Sequence, residues 1–383
     1  MARSEIQQAQ AVITRAHNLL LVVPAKASVD ALASMIALYT HLAHSNDHRQ
    51  HVDEVSPSHL PPGLQFLSGS SQVRTEPLQQ TEIIIDIAAA DAVKKVTQEQ
   101  LTGGTRLRLT AAPDSAVRRD QIEISVRSLP YDSVVVIGAA DLEELGPLFT
   151  ENADFFYSTP SVNIDHRAAN EQFGTVNLVD ITAGSVAEVM HELISAQTAG
   201  PLPPDVTTAL YAGIVAGTDS FQKPTTTPRS FQTAAQLIQQ QANRELVIQH
   251  LVKTKPLKII KLLGSLYARL RREESVNLYW TSLEAGDFLE SGALAEDIPV
   301  VMHELAGTIA GFNAALLLYQ TTAGSRQYFA YVLLGPGLRT RRREIQELLT
   351  AAKENGALTF TIAAPSLEAA EKVAHEKMKQ ILP

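Results

Sequence analysis

Apolar residues follow one rhythm up to about residue 276 and another beyond it. In the first part, short unbroken apolar runs alternate with stretches of helical spacing. The run 19–23 (LLLVV), stopped by Pro24, reads as a strand buried on both faces. Val29, Leu32, Ile36, Tyr39 and Leu42 then recur at helical intervals, with Ser28 placed as the N-cap. Residues 5–17 predict an amphipathic helix, 82–86, 133–137 and 161–164 predict strands, and 185–193 and 207–215 predict helices. The segments 106–109 and 122–126 alternate apolar with polar residues and predict an antiparallel pair with one wet face. Buried strands alternating with helices specify an α/β domain with a largely parallel sheet and helices on both faces.

Residues 228–272 read as mostly helical, broken at Pro256, and form the expected connection between domains. From Val276 strands are expected at 277–280, 314–319 and 327–334, with helices at about 284–310, 340–354 and 366–381. That pattern is α+β. The expected organisation is an α/β domain over 1–240, a helical connector over 241–262 and a smaller α+β domain over 263–383.

Composition narrows the chemistry. With 45% hydrophobic and 19% charged residues over 383 positions, the chain has the balance of a globular protein rather than a disordered one. The absence of cysteine excludes disulfides, thiolate zinc sites, iron–sulfur clusters and cysteine nucleophiles. The net charge of −9 is uneven: residues 241–383 hold 17 basic and 15 acidic side chains, leaving −11 for residues 1–240. An acidic first part does not suit a long nucleic acid, which needs clustered cations. No run approaches the roughly 18 apolar residues of a membrane span, and residues 1–17 carry Arg3, Glu5 and Arg15 without an apolar core. No membrane association and a cytoplasmic location are therefore expected.

The segment 160–170 (PSVNIDHRAAN), continuing through Phe173-Gly174 and 177–180 (NLVD) to 185–188 (SVAE), resembles the third motif of the DHH phosphoesterase superfamily. Three further segments resemble that superfamily in order and wording: 24–34 (PAKASVDALAS), 134–142 (VVVIGAADL) and 212–221 (AGIVAGTDSF). The superfamily includes nanoRNases and nucleotide phosphatases. The resemblance covers most of 15–240 and, more faintly, 257 to about 335, where it is similar to the accessory DHHA1 domain. It does not extend past 335.

That resemblance implies a pair of divalent metals, usually manganese, held by about eight carboxylate and imidazole ligands at the carboxyl ends of parallel strands. The retained positions are Asp30, Asp165 and His166. At the other aligned positions the ligand is replaced, by Pro24, Ser28, Gly138, Arg167 and Gly217. Arg167 puts a permanent positive charge where a cation is expected. The family's glycine-rich phosphate loop has no match either, the nearest segment being Asn355-Gly356-Ala357. The resemblance therefore implies a catalytically degenerate member that needs no cofactor. It would bind a small phosphate-containing ligand, such as a nucleotide or short oligonucleotide, or a protein partner, in an interdomain cleft.

Two cations that entered the motifs, Lys26 and Arg167, are candidate phosphate contacts. The plainer reading pairs Arg167 with Asp30 or Asp165. Asp141 and Asp219 lie close to lost positions and are candidate compensating carboxylates; with them, an active manganese- or magnesium-dependent phosphoesterase of unusual ligand set stays open. A scaffold with an empty cleft, acting through a homodimer surface, is the third reading.

Elsewhere the expectations are structural. His41, His44, His48 and His51 form a histidine-rich stretch, but 45–47 (SND) reads as a helix stop, placing His41 and His44 in a last turn. The arginines of 339–343, with Lys253, Lys255, Lys258, Lys261, Arg269, Arg271 and Arg272, read as solvated surface balanced by nearby glutamates. Ser185 and Glu188 read as a helix start, and Ser34 has no base at usable spacing.

Overall fold

The computed structural model describes residues 3–45, 51–77, 82–88, 93–111, 117–127, 129–198, 200–349, 352–354 and 357–382. The chain divides into two compact units, Met1–Thr254 and Lys255–Pro383.

The first unit opens with helix α1 (Arg3–Arg15), strand β1 (Asn18–Val22), helix α2 (Val29–His44) and strand β2 (His51–Val55). Four strands follow: β3 (Glu82–Ile87), β4 (Val93–Leu101), β5 (Gly104–Ala111) and β6 (Ile122–Arg127). Then come β7 (Ser133–Ile137), short helices α3 (Pro147–Thr150) and α4 (Ala153–Ser158), β8 (Ser161–Asp165) and β9 (Val176–Val179). Helices α5 (Val186–Ser195), α6 (Pro204–Gly217), α7 (Pro228–Gln239) and α8 (Arg244–Val247) and a π-helical turn over Ile248–Lys253 complete the unit.

Among the described residues a five-stranded parallel sheet runs in the order β2-β1-β7-β8-β9. The unbroken apolar runs are explained by burial on both faces. Leu19, Leu21, Val135 and Ile137 pack with α1, α2, α5 and α6. Leu20, Val22, Val134 and Val136 point the other way, toward Phe149, Phe155 and Phe156 of α3 and α4. Strand order reverses between β1 and β7, so their carboxyl ends diverge there and leave a crevice. Ser28 caps α2 as expected, its hydroxyl accepting the Ala31 N–H at 3.1 Å.

Three readings of this unit are corrected. Residues 82–86 form a strand, but outside the parallel sheet. The segments 106–109 and 122–126 are antiparallel strands that do not pair with each other: β5 pairs with β4, and β6 with β3. Strand β2 was not foreseen, because Asp53 and Glu54 interrupt its apolar pattern although both are buried.

The second unit contains α9 (Leu257–Ala268), β10 (Arg271–Glu273), β11 (Leu278–Leu283), α10 (Ala285–Ser291), α11 (Ile298–Thr308), β12 (Ala314–Tyr319) and β13 (Gln327–Leu334). It ends with α12 (Arg342–Leu349), β14 (Ala352–Glu354), β15 (Ala357–Ala363) and α13 (Leu367–Ile381). Its mixed sheet runs β10-β11-β12-β13-β15-β14 among the described residues, with α12 and α13 packed on one face and α9, α10 and α11 on the other. The helix expected over 340–354 stops at Leu349, and the alternating stretch 357–363 is a strand that the sequence reading passed over. No helix among the described residues is long and apolar enough to cross a membrane.

Candidate functional site

The loops leaving β1, β7 and β8 and the end of α6 enclose a cavity of about 850 Å³ within the first unit. It is lined by Pro24, Lys26, Ser28, Asp30, Gly138, Asp165, His166, Arg167 and Gly217, so every retained or replaced position of the resemblance reaches one wall. Asp219 also lines it; Asp141 does not. Asp141 instead accepts the Glu144 N–H at 2.9 Å, closing a local turn.

Asp165 ends β8 and is fully buried. It accepts the backbone N–H of His166 at 2.7 Å and of Arg167 at 3.3 Å, the Asn170 Nδ2 amide at 3.0 Å and Arg167 Nε at 3.0 Å. Burial pushes its carboxyl up, but the His166 side chain, the Asn170 amide, the Arg167 charge and the His166 backbone N–H together outweigh burial and hold it below the usual carboxylate range.

Arg167 folds back over the strand ends. Its Nη1 donates to Glu144 Oε1 at 3.1 Å, and Nη2 donates to Glu144 Oε2 at 2.9 Å and to the Gly138 carbonyl at 2.7 Å. All three guanidinium nitrogens are therefore committed to the protein, and the fork on Glu144 is bidentate. The expected pairing with Asp165 is present, and none with Asp30. As a phosphate contact Arg167 is largely taken up. Glu144 and Asn170, which complete this network, were not singled out in the sequence; the signal for Glu144 was only that a half-buried arginine needs acceptors.

Asp30 sits in the first turn of α2, 3% exposed. Its carboxylate accepts the Val186 N–H at 2.7 Å and the Ala187 N–H at 3.0 Å, the orphan donors of the first turn of α5. Burial pushes its pKa up to about 6 despite these bonds. Ser185 caps the same helix, accepting the Glu188 N–H at 3.3 Å, and Glu188 accepts the Gly184 N–H at 3.2 Å, as expected of a helix start.

At two of the positions that depart from the resemblance, Gly138 and Gly217, packing leaves no room for a side chain. Gly138 has φ +72°, and a Cβ there would lie 2.8 Å from the Ala31 Cβ. A Cβ at Gly217 would lie 2.5 Å from the Ser185 Cβ and 2.7 Å from Asp30 Oδ2. Neither place accepts an aspartate without displacing its neighbours. Among the described residues no group of three or more His, Asp or Glu side chains is arranged to hold a metal ion. With the Asp30 oxygens on amides and Asp165 on a guanidinium, the residues present do not fit a two-metal centre.

Two ammonium groups complete the wall. Lys26 is exposed, and Lys223, which the sequence reading had not singled out, donates to the Gly217 carbonyl at 2.6 Å. Asp219, Ser220 and Phe221 stand in the left-handed region in succession (φ 51°, 56° and 67°), a strained turn that brings Asp219 and Ser220 to the cavity.

The other sequence candidates lie away from the cavity. His41 and His44 are in the last turn of α2, where His44 meets Asp205 at 2.8 Å, and His51 is on β2 against Asp53. His48, Asn355 and Gly356 fall outside the described residues. Several second-unit cations are paired: Lys255 with Glu304, Lys258 with Asp297, Arg269 with Asp287 and Arg341 with Glu344.

No family model matches the chain. It is 36% identical over 87 residues to an uncharacterized protein of Mycoplasma genitalium, covering 23% of this chain and 26% of that one. It is 30% identical over 116 residues to the bifunctional oligoribonuclease and PAP phosphatase NrnA of Bacillus subtilis, covering 30% and 37%. The matches thus span about a quarter to a third of the length of these curated relatives. The fold is shared with the crystal structure of an exopolyphosphatase-related protein from Bacteroides fragilis. The TM-score is 0.69 at 14% identity, over 99% of this chain and 96% of that one. The expected α/β architecture with a second mixed-sheet domain is borne out, and so is the resemblance to DHH-like phosphoesterases.

Proposed function

For a chain that resembles DHH phosphoesterases, we propose that the first unit's cavity is a metal-free binding site for a small phosphate-containing ligand, a nucleotide or short oligonucleotide, and that the chain does not hydrolyse it. The observation that carries this reading is Arg167, whose guanidinium lies among Asp165, Glu144 and the Gly138 carbonyl. A fixed cation there neutralises carboxylates that would otherwise attract a metal, and it needs no metal to keep them buried.

Anion recognition then falls to Lys26 and Lys223, acting as point charges at the cavity wall, with Arg167 offsetting the negative charge behind them. A cavity of about 850 Å³ is the size of a small-ligand site. The acidic balance of residues 1–240 disfavours long nucleic acids, so recognition of a short anion would rest on these individual cations. Calorimetric titration with AMP and with a dinucleotide, in chelator, tests the reading. Binding is expected without metal, weakened at least about tenfold, or about 1.4 kcal/mol, by Lys26→Ala with Lys223→Ala. No heat with either ligand would leave the scaffold reading in its place.

A second reading, an active phosphoesterase of unusual ligand set, draws on the likeness to NrnA and on Asp30, Asp165, His166 and Asp219 lining one cavity. Hydrolysis of a dinucleotide or a 3′,5′-bisphosphonucleoside, with added manganese and abolished in Asp165→Ala, would establish it instead.

A further inference from the structure

The cavity of the first unit has a wall that its charged residues do not account for. Val29, Val186, Val215, Leu251 and Val252 also line it. Val186 and Val215 belong to the main core of the unit, and Val29 and Leu251 pack against that core. The core therefore surfaces here as an apolar wall, drawn from the starts of α2 and α5, the end of α6 and the π-helical turn. Val252 completes it and is 36% exposed.

The π-helical turn is the unusual part of this wall. Such turns are rare and recur at functional sites. Asn243 starts the segment, its side chain accepting the Leu246 N–H at 3.1 Å. Thr254 ends it: its N–H and its hydroxyl both donate to the Gln249 carbonyl, at 3.0 and 2.7 Å. The turn is also clamped along its length. The His250 ring stacks on Phe66 with centroids 4.7 Å apart, and a Cβ at Gly63 would lie 3.3 Å from both the His250 carbonyl and Leu251 Cδ2. Leu251 and Val252, adjacent in sequence, thus reach the cavity from a backbone that Phe66 and Gly63 hold in place. Little ordering entropy is left to lose when a ligand meets them.

We propose that this wall holds the ring of the ligand, with Leu251 and Val252 as specificity-determining residues. The site then takes a nucleoside phosphate with its base against the wall, and discriminates against inorganic phosphate, pyrophosphate and polyphosphate. Given a phosphate site at Lys26 and Lys223, on which this assignment rests, the wall supplies the other half of the ligand's binding. A wholly ionic ligand laid against valine and leucine side chains would lose hydration there with no hydrogen bond in return. Its several charges would also meet Glu143, Glu144 and Asp219, which share the lining with Lys26 and Lys223. A nucleobase has the opposite requirement. Its flat faces gain by leaving water for aliphatic surface, and it brings no further charge to the carboxylates.

Calorimetric titration of the full chain, in chelator, with AMP, ribose 5-phosphate and pyrophosphate separates the two halves. AMP is expected to bind at least about tenfold more tightly than ribose 5-phosphate, which keeps the phosphate and lacks the base. Pyrophosphate is expected to bind no better than ribose 5-phosphate. Val252→Ser, at a side chain exposed enough to leave the fold intact, is expected to weaken AMP about threefold and to leave ribose 5-phosphate within about twofold. Saturation-transfer NMR on the wild type needs no variant: irradiation of the protein methyl groups should mark the adenine ring protons more strongly than the ribose protons. AMP and ribose 5-phosphate of equal affinity, pyrophosphate as tight as AMP, a Val252→Ser that weakens both sugar phosphates alike, or ribose marked above adenine would each overturn the assignment while leaving a phosphate site in place. Binding of none of the three would remove the phosphate site itself, and the assignment with it.

Discussion

Replacing Arg167 by alanine removes the guanidinium paired with the fully buried Asp165 carboxylate, and the consequence can be sized from the geometry. Removing one partner of a buried ion pair costs about 3–5 kcal/mol, because the remaining charge is left in a poor solvent. Asp165 keeps the His166 and Arg167 backbone N–H groups and the Asn170 amide. Glu144 has a side chain 34% exposed and regains water. The Arg167 side chain is itself 37% exposed, so screening brings the expectation below that range, to about 2 kcal/mol at neutral pH. For a unit of this size that is a drop of roughly 4–8 °C in melting temperature.

The pH dependence fixes the mechanism. In the wild type the Asp165 pKa is depressed, so its contribution is present above the unfolded value, near 4, and is lost as pH falls through the folded value. In Arg167→Ala burial is no longer outweighed by that charge, the folded pKa rises, and protonation relieves the strain. The gap between variant and wild type should shrink as pH falls from 7 toward 4. Urea unfolding of both proteins at a series of pH values measures it. A gap below about 1 kcal/mol at pH 7, or one that ignores pH, would refute the assignment of Arg167 as the charge partner of Asp165.

Other consequences follow from the same packing. Glu54 is 1% exposed, both its oxygens lack a hydrogen-bond partner, and burial pushes its pKa up to about 9. Because the unfolded chain ionises Glu54 near pH 4.3, stability should decline as pH rises from there toward 9. Glu54→Met should flatten the decline and stabilise the protein by about 1–3 kcal/mol at pH 8, read by thermal melts across pH. Gly217→Ala and Gly138→Ala should each destabilise by about 2 kcal/mol or more, the first by contact with Ser185 and Asp30 and the second by a left-handed φ with Ala31 in the way. Melting temperatures equal to wild type would show that packing does not close these two positions.

How much was legible in the sequence depended on whether the signal was local. The runs 19–23 and 133–137 and the N-caps Ser28 and Ser185 carry their own evidence, since burial on two faces and capping act within a few residues. Strand β2 escaped because buried Asp53 and Glu54 break its apolar pattern. The donors to the Asp53 carboxylate are not local either: Arg74, at 3.4 Å, and the Tyr131 hydroxyl are far along the chain. Pairing among β3, β4, β5 and β6 was misread because alternation identifies a strand without naming its neighbour. At the cavity, the residues that the resemblance points to could be read position by position. That Glu144 would close on Arg167 from 23 residues away could not be, nor that Asp30 would turn to the first turn of α5.

The central claim, that a guanidinium network has replaced a two-metal centre, is tested most directly by metal analysis of the protein. The purified chain is equilibrated with millimolar manganese, passed through a desalting column and assayed for metal. Retention far below one manganese per chain, unchanged in Asp165→Ala, is the expected result. One or two equivalents, lost in Asp165→Ala or Asp30→Ala, would contradict it.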